Sequence, residues 1–240
     1  MCGRFGLTRA QRELAGEFID LNPRFEVRDI QPRYNIAPTQ PVLTLWVDNG
    51  RVRADDLRWG VTVLLPPDRR SRDLINVRAE TALRPGWFRE LLERRRALVP
   101  ASHFYEWRTL PGRRRQPLLI GPADGELLVL AGLLGHWTDE MTGEIVPAVT
   151  ILTTEPNGLL REIHNRMPVV LPRSSWGRWL DPDAGADDVA GLLAPCRDDL
   201  LRVRPVSTLV NDVANEGPAL IEPPAAGPQE DVEQQELPLG

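Results

Sequence analysis

Cys2 stands in Met1-Cys2-Gly3-Arg4-Phe5, where removal of the initiator Met leaves an α-amine and a thiol on adjacent carbons. With ordinary pKa values of roughly 8 for the amine and roughly 8.5 for the thiol, both have a reactive fraction near neutrality. Such a 1,2-aminothiol takes an aldehyde first as an imine and then closes a five-membered thiazolidine. It also serves as an N-terminal nucleophile whose own amine is the general base. An inert residue near a frayed terminus is the competing reading. All 29 basic residues are Arg, and guanidinium stays protonated and does not form imines under ordinary conditions. Biased codon usage explains the missing Lys, but the consequence is chemical: the terminus is the one amine able to condense with a carbonyl.

Three further segments carry chemistry. Ser102-His103-Phe104-Tyr105-Glu106-Trp107 places a carboxylate inside an aromatic, strand-like stretch. Half-buried, Glu106 has a raised pKa suited to proton exchange near neutrality; on a solvent face it is an ordinary surface glutamate. Trp107 can stack on a nucleobase, worth roughly 1–3 kcal/mol, or join the core. Ile163-His164-Asn165-Arg166-Met167-Pro168 offers an imidazole for proton shuttling and a guanidinium able to grip a phosphate. A capped helix end with a surface His is the alternative. Asn76 and Arg78 lie two apart, on one face of a strand. That pair suits a sugar–phosphate, and equally an ordinary polar face.

The elements that must position these residues follow from pattern. Thr8-Arg9-Ala10-Gln11 reads as a capping box opening a short helix with Leu14, Phe18 and Leu21 on its apolar face. Stretches 42–47 and 52–57 flank Asp48-Asn49-Gly50, a hairpin signal. A loop spans Pro66 to Arg72, a strand Leu74 to Arg78 and a helix Gly86 to Arg95. Strands are expected at 97–108, 117–121, 126–133 and 145–153, with turns at Pro111-Gly112 and Asp124-Gly125. A helical turn at Leu159–His164, a strand at Val169–Leu171, a helix at Asp187–Leu193 and a strand at Val203–Val210 complete the body. The sum is an α+β domain dominated by antiparallel strands.

Composition bounds the rest. A chain of 240 residues, 42% apolar, can bury a full core. Two cysteines make no disulfide framework, and three scattered histidines show no metal-ligand spacing. No signal pattern or membrane span is visible, so a soluble protein of a reducing compartment is expected. The net charge of −5 is concentrated in the tail: from Pro205 onward there are seven acids and no Arg, leaving a nearly neutral body. Charge neither indicates nor excludes nucleic-acid binding. Residues 224–240, rich in Pro, Gln and acids, are expected to be disordered.

Several ordered motifs together carry a family resemblance. They are Met1-Cys2-Gly3-Arg4-Phe5, Arg33-Tyr34-Asn35-Ile36-Ala37-Pro38, Arg58-Trp59-Gly60, Asn76-Val77-Arg78-Ala79-Glu80-Thr81, and Leu98-Val99-Pro100-Ala101 with Phe104-Tyr105-Glu106-Trp107. Ala131-Gly132-Leu133, Thr153-Thr154, Ile163-His164-Asn165-Arg166-Met167-Pro168-Val169 and Val210-Asn211 follow. The chain resembles the SRAP (SOS response-associated peptidase) family, proteins that crosslink to abasic sites in single-stranded DNA. The resemblance spans residues 2–223. It implies a single SRAP-like domain with a barrel-like, mainly antiparallel core and peripheral short helices, working as a monomer without a cofactor or metal.

By that resemblance, the Cys2 amine condenses with the ring-opened abasic sugar and its thiol closes the thiazolidine. Glu106 assists proton transfers, His164 shuttles protons for ring opening and crosslink reversal, and Asn76 positions the sugar or the N-terminal residue. Arg4, Arg78 and Arg166 hold flanking phosphates, while Trp107 and Thr153 line the DNA path. Self-removal of the N-terminal residue is also implied, as is a cytoplasmic place at the nucleoid and replication forks. Two departures stand out. Aliphatics at 61–65 replace a second Trp, so Leu64 or Leu65 must supply any wedge between strands. Ala97 and Ser102-His103 replace a Cys and an Asp-Gly, putting His103 near enough to Glu106 to alter its proton balance.

Gln234-Gln235-Glu236-Leu237-Pro238-Leu239 resembles the Gln-x-x-Leu-Pro-Leu peptides that bind bacterial sliding clamps. Gln234 would fill a polar pocket, and Leu237 and Leu239 an apolar groove. Two other functions compete. N-terminal nucleophile glutaminases also begin Met-Cys-Gly, but their Arg-Gly-Pro-Asp and Asn-Gly-Glu motifs are absent from this sequence. A non-catalytic single-strand binder would use the Arg and Trp residues alone and would bind in a salt-labile way.

Overall fold

The structure, a computed structural model, describes residues 2–9, 11–21, 31–63, 72–139 and 141–224. In chain order the strands begin with β1 (Phe5–Leu7), β2 (Arg33–Ile36), β3 (Pro41–Asp48), β4 (Arg51–Trp59), β5 (Val61–Val63), β6 (Arg72–Leu74) and β7 (Asn76–Arg78). They continue with β8 (Arg96–Ala101), β9 (His103–Thr109), β10 (Arg115–Pro122), β11 (Leu128–Thr138), β12 (Ile145–Thr154), β13 (Met167–Pro168) and β14 (Leu201–Pro205). Short helices flank them: α1 (Gln11–Phe18), α2 (Ala79–Ala82), α3 (Trp87–Arg94), α4 (Trp176–Leu180) and α5 (Ala186–Val189).

A barrel-like sheet forms the larger part of the core. Asn49 and Gly50 take left-handed φ values of 49° and 73°, the turn geometry that joins β3 to β4 as the Asp48-Asn49-Gly50 signal predicts. The order β11-β8-β3-β4-β12 closes because β12 returns to pair antiparallel with β11 from Gly132↔Ile151 to Thr138↔Ile145. Its contact with β4 is parallel, at Ala148↔Arg58 and Val149↔Trp59. Closure leaves these five strands without long free edges. A side chain at Gly132 would meet Val149 at 3.0 Å and Val99 at 3.2 Å, so glycine lets the neighbouring strands' valines close over it. Leu45, Leu98, Val99, Leu130, Leu133, Val149 and Ile151 are fully buried there.

The second sheet runs β14-β10-β9-β1-β2. The single strand expected over 97–108 is in fact two, β8 in the barrel and β9 in this sheet, with the break at Ser102. Ser102 donates its backbone N–H to Gly6 O (2.7 Å), and its hydroxyl accepts the Thr8 N–H (2.9 Å). The corner thus clamps the C-terminal half of β1. Pro100 lies inside β8, two residues before the corner, and the apolar run continues on both sides of it, so the local pattern gave no clear sign of a change of sheet. Gly6 pairs with His103, and a Cβ on Gly6 would lie 2.5 Å from the His103 ring; the β1 backbone rests directly on that imidazole.

Other expectations shift for local reasons. The helix α1 starts at Gln11, three residues beyond Thr8, whose backbone N–H bonds to the Ser102 hydroxyl; Leu14 and Phe18 are buried as expected. The stretch 74–78 splits at Ile75: β6 pairs with β5, whereas β7 runs parallel to β12. The short strand expected at 169–171 lies just beyond β13 and is held by single bonds, Val169 N–H to Leu152 O and Leu171 N–H to Val129 O. The helix expected at 187–193 is α5 followed by a 3-10 turn at Ala190–Leu193. The last strand ends at Pro205, and Thr208–Asn211 is a 3-10 turn. The stretch 66–71, Leu64, Leu65 and the tail beyond Pro224 lie outside the described residues. No helix among the described residues is long and apolar enough to cross a membrane.

His103 supplies a test of this sheet. Tyr105 donates its only O–H to Tyr34 O (2.8 Å), so the 2.9 Å contact with His103 requires Nε2 to carry the proton. Burial pushes the imidazole down to about 4, against 6.5 when exposed. Between those values the unfolded chain binds a proton that the folded protein does not. Stability therefore falls as pH drops from 6.5 to 4, by on the order of 3 kcal/mol. Denaturant titrations across that window should show this loss in the wild type and a flatter profile for His103→Gln; equal slopes would contradict the buried neutral imidazole.

Candidate active site at the buried N-terminus

Packing on both sides fixes the first residues. Phe5 stands edge-on to Trp59, ring centroids 5.1 Å apart, and Trp59 donates Nε1–H to Ile75 O at 2.8 Å. Pairing of β1 with β9 reaches back to Arg4, whose carbonyl accepts the Tyr105 N–H at 2.9 Å. Cys2 is therefore fully buried, and the reading of a frayed terminus fails. Asn76, from β7 of the barrel, donates Nδ2–H to Cys2 O at 2.8 Å. Its Oδ1 is also buried and has no hydrogen-bond partner among the described residues. An unmet acceptor of this kind costs about 1–3 kcal/mol, and it lies on the same amide that touches Cys2.

Burial also overturns the expected thiolate fraction. The Cys2 thiol is pushed well above its usual value, first by desolvation and then by the Glu106 carboxylate, with a hydrogen bond from the Arg4 backbone acting in opposition. At rest it is a protonated thiol. Glu106, on β9, is 5% exposed. Desolvation raises its carboxyl, while the amino-terminal charge and then His164 pull it down. Cys2, Glu106 and His164 thus share one electrostatic environment. The His164 Nδ1 lies 3.0 Å from the Arg166 backbone nitrogen and 3.1 Å from the Arg166 carbonyl oxygen, so the Arg166 backbone holds this edge of the ring. The ring hangs from a turn closed by the Ile163 and His164 N–H groups on Leu160 O.

The other candidates divide. Arg166 sets a two-pronged contact on Glu80, 2.6 and 2.8 Å, and donates to Thr153 O at 2.6 Å. That guanidinium holds the Glu80 carboxyl below its usual range. Thr153 itself is fully buried, its hydroxyl directed at Val77 O. Arg78 pairs with it across β7 and β12 and is exposed. By strand alternation Phe104 and Glu106 share one face of β9, and His103, Tyr105 and Trp107 the other. His103 accordingly does not feature among the charges acting on Glu106.

Arg4 and Trp107 meet on that second face. The Arg4 Nη1 donates to Asn35 Oδ1 and Val210 O, both at 2.8 Å, and its guanidinium lies 5.7 Å from the Trp107 ring centre. Trp107 donates Nε1–H to Asn211 Oδ1 at 2.7 Å. Sequence reasoning missed Glu80, Asn35 and Arg115. The first two sit inside quoted motifs, and their charge and amide were the available signal. Arg115 reaches the field of Glu106 only through β9–β10 pairing, which no local pattern reveals. Among the described residues no group of His, Cys, Asp and Glu is placed to hold a metal ion.

A raised Glu106 carboxyl has a measurable consequence. The folded protein holds its proton to higher pH than the unfolded chain, so stability declines as pH climbs from the ordinary carboxylate range through the raised value. Glu106→Gln lacks that penalty. Thermal melts between pH 5 and 8 should give the variant a flatter profile and a midpoint at or above wild type at the alkaline end. A variant midpoint lower than wild type at pH 8 would contradict the assignment.

The chain is 36% identical over 227 residues to Abasic site processing protein YoaM of Bacillus subtilis, covering 92% of this chain and 98% of that protein. It is 29% identical to Abasic site processing protein YedK of Escherichia coli, covering 93% and 100%. A crystal structure of a Bacteroides thetaiotaomicron protein superposes with a TM-score of 0.74 over 93% of this chain and 100% of that one, at 22% identity, which speaks to the fold alone. The family model of the SOS response associated peptidases matches residues 1–213. With the strand-locked Cys2 and an alignment over most of its length, the chain belongs to the SOS response associated peptidase (SRAP) family.

Proposed function

We propose that this protein processes abasic sites in single-stranded DNA by joining Cys2 covalently to the ring-opened sugar as a thiazolidine. One observation carries the reading: Asn76 grips the Cys2 backbone while the Glu106 charge bears on the Cys2 thiol. Removal of Met1 frees the amine, and hydrolysis of that peptide bond by the protein itself is part of the proposal. The amine attacks the sugar aldehyde and water leaves, giving an imine. The S–H then adds across C=N: sulfur bonds to carbon, and the thiol proton passes to nitrogen. Aldehyde and aminothiol together lose one water, with no oxidant or reductant.

The buried thiol makes the order of events matter. Because it rests protonated, the amine attacks first and the thiol needs a base when the imine is in place. Glu106, with its carboxyl raised, takes that proton and returns it to nitrogen. His164 shuttles protons for ring opening and for the reverse reaction, in which water regenerates aldehyde and aminothiol. The unmet Asn76 Oδ1 accepts a hydrogen bond from the freed amine or from a sugar hydroxyl. Arg78, exposed at the edge, and the remaining donors of Arg166 and Arg4 hold flanking phosphates, with Trp107 along the path; Thr153, fully buried, supports the path only by its carbonyl bond to Arg166. The reaction needs one copy of the chain.

Mixing the protein with abasic single-stranded DNA and measuring intact mass in denaturant should reveal an adduct of a protein lacking Met1, absent for Cys2→Ala. For His164→Gln the adduct should form but release more slowly. A wild-type protein that makes no adduct would overturn the reading; reversal at wild-type speed would reject the role of His164.

We also propose that Gln234, Leu237 and Leu239 dock on a sliding clamp, bringing the protein to the nucleoid at replication forks, where single strands expose such lesions. Peptide 228–240 should bind a purified bacterial clamp and lose binding on Leu237→Ala. Absence of binding at high micromolar concentration would remove the proposal.

A further inference from the structure

The β9–β10 hairpin carries a charge pattern that the abasic-site chemistry does not use. From Trp107 to Pro122 it contains Arg108, Arg113, Arg114 and Arg115 and no acid. All four arginines are exposed. Many of the other arginines lie against carboxylates, as Arg53, Arg58, Arg89, Arg166, Arg173, Arg178 and Arg197 do. None of the hairpin four forms a salt bridge with a described residue. Four neighbouring guanidiniums with no salt bridge to a described residue repel one another, which a fold tolerates more readily where a polyanion relieves the repulsion.

Backbone geometry presents them as an arm. Leu110 N–H bonds to Arg114 O at 2.8 Å, and Gly112 and Arg113 both take left-handed φ values, 73° and 60°. A left-handed Arg is uncommon, and here it reverses the chain with its side chain exposed at the tip. Register sets Gln116 opposite Arg108 and Arg115 opposite Thr109, so the four residues gather within a few strand positions. The next strand adds Arg202 and Arg204, also exposed, on β14. The arm grows directly out of the strand that bears Glu106, two residues before Arg108. Arg115 is near enough for its charge to act on that carboxyl. At 3.4 Å per residue the tip lies about 20 Å from Glu106, a span that a few nucleotides of extended backbone cover.

We propose that the guanidiniums of Arg108, Arg113, Arg114 and Arg115 form a phosphate track that holds the DNA strand to one side of the lesion, beyond the site around Cys2. This rests on the reading of a single-stranded DNA substrate and adds where that strand runs. Arginine suits the task because its planar fork pairs with phosphate oxygens in two-point contacts.

The test measures reversible binding in a Cys2→Ala background, so it does not depend on crosslinking. The probes are an abasic oligonucleotide with one nucleotide on each side of the lesion and a longer one that can reach the tip. In the parent, lengthening the DNA should raise affinity and steepen the salt dependence. Replacing all four arginines by Gln should abolish that gain and flatten the slope of log K against log salt by roughly 1.4–2.8, about 0.7 for each of two to four phosphates. Replacing them by Lys should keep most of the slope, which controls for loss of hairpin structure. An unchanged slope in the Gln protein, or a Lys protein that behaves like it, would overturn the track. Failure of the crosslinking reading would appear separately, as a protein with Cys2 intact that forms no adduct.

Discussion

Incorporation of the N-terminal strand into a sheet is the constraint on which the rest depends. A chain end ordinarily frays because its few contacts do not offset the entropy of ordering it. Here β1 is paired on both sides, with β9 at Phe5↔Phe104 and with β2 at Phe5↔Ile36. Phe5 is buried against Trp59, and Ser102 clamps the strand's far end. These contacts carry Cys2 into the core, where the amide of Asn76 from the barrel meets it. The site is thus a junction: the terminus and Glu106 come from one sheet, and Asn76 and the His164 turn from the other or its margin.

Electrostatics follows from that burial. In water the Cys2 thiol and the Glu106 carboxyl would ionise independently near their ordinary values. Withdrawn from solvent and close to one another, both are driven toward their protonated forms, first by desolvation. In the proposed reaction, a nucleophile kept neutral until a base is needed gives a defined order, amine before sulfur. The same low-dielectric setting makes an unmet acceptor at Asn76 and an ordered imidazole at His164 worth more than they would be at the surface. The Glu80–Arg166 pair steadies that imidazole indirectly, because the Arg166 backbone bonds to His164 and its side chain is anchored at both Glu80 and Thr153.

Much of this was legible in the sequence, and the gaps have physical causes. The hairpin at Asn49-Gly50 and the cluster of Cys2, Asn76, Glu106 and His164 could be read because turn chemistry is local and the motifs are ordered. The break at Ser102 was invisible, since a strand that changes sheets keeps its apolar run and is marked only by long-range bonds to Gly6 and Thr8. Local pattern also overextended the last strand through Pro205, where the chain turns to cover Tyr105 with Val206 and Val210. The Cys2 thiol was misjudged because its state depends on tertiary burial rather than residue type. His103, three positions from Glu106 along the alternating strand, lies on the face away from it for the simplest reason, the period of two.

The central claim is that a buried N-terminal aminothiol, not an exposed side chain, is the group that joins the lesion. Peptide mapping of the DNA adduct after hydride treatment tests it most directly. The account predicts that the modified peptide begins at Cys2, carries the sugar with the loss of one water, resists reduction because no imine remains, and has no alkylatable thiol. An adduct on another peptide, or an N-terminal adduct that takes up hydride and leaves the Cys2 thiol free to alkylate, would contradict it.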